Sequence, residues 1–110
     1  MIEETLVGVV ERFNRHTERT PAVKEELHGI ERTIAIHLSD GPSYAVDLRE
    51  GKLINLRTAD HIKADVTIRT DTQTFQHLVT KEIGPMKALV TRKLAIDGSL
   101  EDKLLFRKLL

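Results

Sequence analysis

The sequence has no cysteine and no tryptophan, one tyrosine and three phenylalanines. Without cysteine there is no disulfide, no thiolate nucleophile and no thiolate metal site. An aromatic content of 4% leaves little surface on which bases stack, as single-stranded nucleic acid requires. Nor is there a surplus of either charge. Seventeen basic residues face seventeen acidic ones, whereas a dedicated nucleic-acid binder carries a basic excess against phosphate. No run approaches the roughly 18 apolar residues of a membrane span. What remains, at 110 residues with 40% hydrophobic and 31% charged, is the composition of one soluble globular domain, 1–110, with an aliphatic core.

The stretch Met1 to Leu6 is acidic and lacks the basic and apolar regions of a secretory signal. Lys108-Leu109-Leu110 lacks the small residue of a peroxisomal address. The expected location is cytoplasmic.

Hydrophobic periodicity divides the chain. Ile2, Leu6, Val9, Val10 and Phe13 recur at helical spacing and predict an amphipathic first helix. Thr20-Pro21 starts a short second helix that ends near Gly29. The period then changes to two: Ile34, Ile36 and Leu38 alternate with Thr33, Ala35 and His37, and Tyr44, Val46 and Leu48 with Ala45, Asp47 and Arg49. Ser39-Asp40-Gly41-Pro42 and Glu50-Gly51 are turn signals. Leu53 to Leu56 and Val66 to Ile68 supply two more strands, read together as an antiparallel meander.

Helical spacing returns at Thr70, which forms a capping-box pattern with Gln73. Phe75, Leu78, Val79 and Ile83 make its stripe, and Gly84-Pro85 ends this helix and starts another carrying Met86, Leu89 and Val90. Leu94 and Ile96 form a last strand, and Ser99 caps a terminal helix reaching Leu110. The order is α-(α)-β-β-β-β-α-α-β-α, an α+β domain with helices covering one face of a sheet. The terminal helix carries Leu100, Leu104, Leu105, Phe106, Leu109 and Leu110 on nearly every side. A helix against one core needs a single stripe. Its surplus is either fully buried or meets a ligand or partner.

Ala64-Asp65-Val66-Thr67-Ile68 is followed by Thr70-Asp71-Thr72-Gln73-Thr74-Phe75, then Pro85-Met86-Lys87-Ala88, Arg92-Lys93-Leu94-Ala95-Ile96-Asp97-Gly98-Ser99 and the leucine-rich helix. This ordered set resembles the sterol carrier protein type-2 family over roughly the last 45 residues. It departs from that family's pattern at Arg92, where a glycine is usual, and at Ala95, where a basic residue is common. The glycine that commonly closes the first of the two middle helices is displaced to Gly84. The resemblance implies a five-stranded, antiparallel-rich sheet with helices packed on one face. It also implies an apolar cavity between the layers for a fatty acyl, isoprenoid or sterol-like lipid. The family's stand-alone members bind and move lipids and others are fused to enzymes; no catalytic residues or cofactor come with it.

An apolar ligand is held by burial rather than by a sharp motif. The candidates are Phe75, Val79, Met86, Leu89 and Val90 on the two middle helices, with Leu104, Leu105 and Leu109 on the last; each also reads as ordinary core. Met86 is the most adaptable of them. Charge is segregated along the chain: residues 1–31 carry −3 and residues 80–110 carry +3. Lys81, Lys87, Arg92 and Lys93 are candidates for anionic headgroups and transient membrane contact, or else belong to a solvated helix face. The five histidines show no metal-binding spacing, and Ser39, Ser43 and Ser99 sit in turns or a cap with no nucleophile elbow. The expectation is a non-enzymatic lipid-binding or lipid-transfer protein with no cofactor, metal or nucleic-acid partner. The alternative is a module of the same fold that forms a homodimer or docks on an enzyme.

Overall fold

The computed structural model describes residues 2–60 and 62–103. Helix α1 (Ile2–Arg19) and α2 (Pro21–Glu26) precede strands β1 (Glu31–Leu38), β2 (Tyr44–Arg49), β3 (Lys52–Thr58) and β4 (Val66–Thr70). Helices α3 (Thr72–Val79) and α4 (Pro85–Val90) and strand β5 (Leu94–Gly98) follow. Helical backbone resumes at residues 100–103, where the amide of Asp102 donates to Ser99 Oγ at 3.1 Å, so Ser99 is the expected cap.

The five strands form one sheet in the order β3-β2-β1-β4-β5. The first three strands are the expected meander, but β4 does not join it. It crosses over to lie parallel to β1, and β5 pairs antiparallel with β4. Asp65 begins that parallel pairing. Its amide donates to Thr33 O at 2.9 Å, and its carboxylate accepts from the Thr33 amide at 2.8 Å. Between β2 and β3, Glu50 (φ 49°) and Gly51 (φ 75°) make the two-residue turn in which both residues need positive φ.

Register explains which face is apolar. Ile34 pairs with Val46 and Val66, Ile36 with Tyr44 and Ile68, Ile68 with Ile96, and Thr70 with Leu94. Partners across a sheet point to the same side, so one continuous aliphatic face results. Leu6 of α1 packs there with Ile36, Leu38 and Tyr44, while Leu27 packs with Ile34, Val46 and Leu48. The other face carries Asp47, Arg57, Arg69 and Asp97, joined in two ion pairs. Ala59 and Ile62 of the crossover border a small hollow there with Ala35 and Thr67.

Two helix boundaries differ from the sequence reading. Thr70 stays in β4 and its hydroxyl donates to Lys93 O at 2.8 Å, while Asp71 caps α3 by accepting from the Thr74 amide at 2.7 Å. A carboxylate complements the positive helix end better than a hydroxyl. Helix α3 stops at Val79, not at Gly84, and Gly84 is the N-cap residue of α4. The backbone turns instead at Lys81, with φ 65°.

Candidate functional site

Over the β4–β5 half of the sheet, the described helices do not close against the strands. A cavity of about 500 Å3 lies there between α1 and α3, within the roughly 300–1,000 Å3 of small-ligand sites. Its floor is Ile68, Leu94 and Ile96. One wall is Val9 and Phe13 of α1, and the other is Phe75, Leu78 and Val79 of α3, closed off by Pro85. Of these nine apolar residues only Leu94 is fully buried; the others are half-buried. Side chains chosen for a core yet left half-covered are what an unfilled apolar site shows. Among the described residues, three basic side chains, Arg12, His16 and Lys81, all exposed, and no acid stand around this lining.

Each rim residue is placed by a local rule. On α1, Val9, Arg12, Phe13 and His16 follow a three-four spacing, so the edge of the apolar stripe carries two basic groups to the opening. Arg12 Nε donates to Gly8 O at 3.3 Å, which holds its stem along the helix. Lys81 sits at the left-handed residue just beyond α3.

The structure brings Phe75, Val79 and Lys81 together at this cavity. It turns Met86 and Val90 elsewhere. Helix α4 directs Ala88 inward, and residues two positions either side of it face outward. Met86 is accordingly 54% exposed and Val90 77% exposed, and neither lines the cavity. Leu89 is half-buried and outside the lining; Lys87, Arg92 and Lys93 are exposed. Leu104, Leu105 and Leu109 lie outside the described residues. Arg12 and His16 were not legible as site residues, because nothing local links them to a cavity whose other wall is more than fifty positions away.

The opposite face offers one contact of chemical interest. His37 Nδ1 and Ser43 Oγ share a 3.0 Å hydrogen bond. A histidine acting as a base is oriented by a third group, and no carboxylate reaches His37 among the described residues. No group of three His, Asp or Glu side chains that could hold a metal ion occurs among them either. No helix described is long and apolar enough to cross a membrane.

A sequence model of the SCP-2 sterol transfer family matches residues 11–110. The chain belongs to that family. A search of curated proteins returned no match. Among solved structures, this SCP-2 family chain is similar to sterol carrier protein domain 2 of Helicoverpa armigera. That match has 17% identity and TM-score 0.66, covering 96% of this chain and 84% of that one. It is similar to the ubiquinone synthesis protein UbiJ at 15% identity and TM-score 0.64, covering 94% and 90%. It is also similar to a stereoselective inverting sec-alkylsulfatase from Pseudomonas sp., at 24% identity and TM-score 0.61. That match covers 79% of this chain but only 14% of the sulfatase, so the SCP-2 fold spans a small part of that enzyme. At these identities the likeness is one of fold.

Proposed function

We propose that this chain is a non-catalytic lipid carrier that holds the apolar part of an acyl or isoprenoid lipid between α1 and α3. The observation that supports this most is the incomplete burial of eight apolar side chains around one cavity. Each buried methylene contributes about 0.8 kcal/mol, so a chain of about a dozen contributes on the order of 10 kcal/mol before ordering costs. Arg12, His16 and Lys81 then stand where a headgroup would emerge. Three basic groups with no acid among them suit an anionic or strongly polar headgroup better than the single hydroxyl of a sterol.

Titration with a fluorescent acyl probe tests the proposal. Ile68→Glu or Val79→Glu should abolish uptake in a protein that still melts cooperatively. Arg12→Gln with Lys81→Gln should weaken an acyl carboxylate several-fold more than the corresponding alcohol. Uptake that survives both glutamates contradicts the site.

A second reading follows from the sulfatase, in which the same fold is a small part of an enzyme chain. On that reading the SCP-2 fold is an accessory module whose apolar surface meets an enzyme or a second copy. A protein that takes up no lipid and sediments as a tight dimer would favour it.

A further inference from the structure

We propose that α4 and the turns on either side of it form a docking surface for an anionic lipid bilayer. This goes beyond cargo binding, since it concerns a surface outside the cavity. Met86 and Val90 lie four residues apart, on one side of α4, and both are largely exposed. On α4 and its flanking turns Lys81, Lys87, Arg92 and Lys93 are also exposed. None of the four makes an ion pair among the described residues, whereas Arg32, Arg57 and Arg69 do. The one acid between residues 80 and 93, Glu82, is engaged by His77 at 3.3 Å.

The backbone points the same way. Lys81 and Arg92 have φ of 65° and 62°, each one residue beyond the C-cap of a helix, at Thr80 and Thr91. Glycine is the usual occupant of that left-handed position because a Cβ is strained there. A helix C-terminus favours a nearby cation, but does not require that it take this backbone conformation. At both positions the chain carries an exposed cation where glycine would be less strained.

Charge complementarity selects the occupant. Exposed cations on one short helix and its flanking turns, with two exposed aliphatic side chains on that helix, suit insertion at the level of anionic headgroups. Because Lys81 and Pro85 also line the cavity, docking here sets its opening against the bilayer.

Co-sedimentation of the full chain with two kinds of vesicle tests this: phosphatidylcholine alone, and equal parts phosphatidylcholine and phosphatidylserine. The chain should bind the mixed vesicles, more weakly as salt rises. Lys87→Gln, Arg92→Gly and Lys93→Gln together should weaken binding about a hundredfold, each surface cation contributing about fivefold. Arg92→Gly alone should bind more weakly yet melt higher, a combination no folding defect produces. Uptake of the acyl probe should be unchanged in these variants. A parent chain that binds the mixed vesicles but takes up no probe would count against the cargo site and not against this surface. Equal binding to both kinds of vesicle, or parental binding by the triple variant, overturns the proposal. So does a dimer that Met86→Ser with Val90→Ser abolishes, which would assign the patch to a second copy.

Discussion

Arg32 Nε donates to Asp102 Oδ1 at 2.7 Å, joining the start of β1 to helical residues 100–103 across seventy positions of sequence. The Asp102 side chain is 10% exposed and the Arg32 side chain 28%. The hydrogen bond to Asp102 raises the guanidinium pKa further, so Arg32 is charged at every relevant pH. Removing the arginine leaves a mostly buried carboxylate without its partner. Arg32→Met should cost about 1–3 kcal/mol. Amide hydrogen exchange at residues 101–103 should accelerate beyond the global effect, since this pair pins them to the sheet. Exchange that rises uniformly along the chain would contradict that role.

Asp47 gives the fold an acid limit. Burial pushes its carboxyl up, but the Asn55 amide and the Arg57 guanidinium more than offset this, leaving the pKa below the ordinary value. A depressed folded pKa means stability that is present above the unfolded value, near pH 4, and lost as pH falls through the folded value. Asp47→Asn should thus be less stable than the parent at neutral pH, with the difference narrowing below about pH 4. Urea melts at several pH values would show it.

Asn14 covers an edge of the sheet. Its side-chain amide donates to Leu53 O at 3.0 Å and its carbonyl accepts from the Leu53 amide at 2.7 Å, in place of a neighbouring strand. Asn14→Leu leaves both backbone groups of β3 without that partner and should cost about 1–3 kcal/mol, read as a lower melting midpoint.

Arg92 bears on stability in the opposite direction. A non-glycine residue in the left-handed region costs roughly 1–3 kcal/mol, so Arg92→Gly should raise Tm by a few degrees, as read by calorimetry. An unchanged or lower Tm would show that the arginine side chain returns more than the strain takes.

Much of the fold was legible in the sequence because period and turn chemistry are local signals. Ile34, Ile36 and Leu38 showed a strand, Glu50-Gly51 its hairpin, and Ser99 a helix cap. The crossover that lays β4 beside β1 was not, since strand order depends on contacts between residues thirty positions apart. At the site, Phe75 and Val79 lie on the helix where the pattern put them, whereas Lys81, which the pattern placed on the same helix, lies in the turn beyond it. Met86 and Val90 carry the same helical spacing, but α4 turns on the small Ala88, and periodicity does not say which side of so short a helix faces in. Arg12 and His16 reach the cavity only because α1 packs beside α3.

We propose above all that the cavity between α1 and α3 holds a lipid. Native mass spectrometry of the purified protein, followed by organic extraction and identification of what is released, tests it most directly. A co-purifying acyl or isoprenoid species at near-stoichiometric mass is expected, which Ile68→Glu removes. A mass matching the bare polypeptide, unchanged after incubation with a mixed lipid panel, would contradict it.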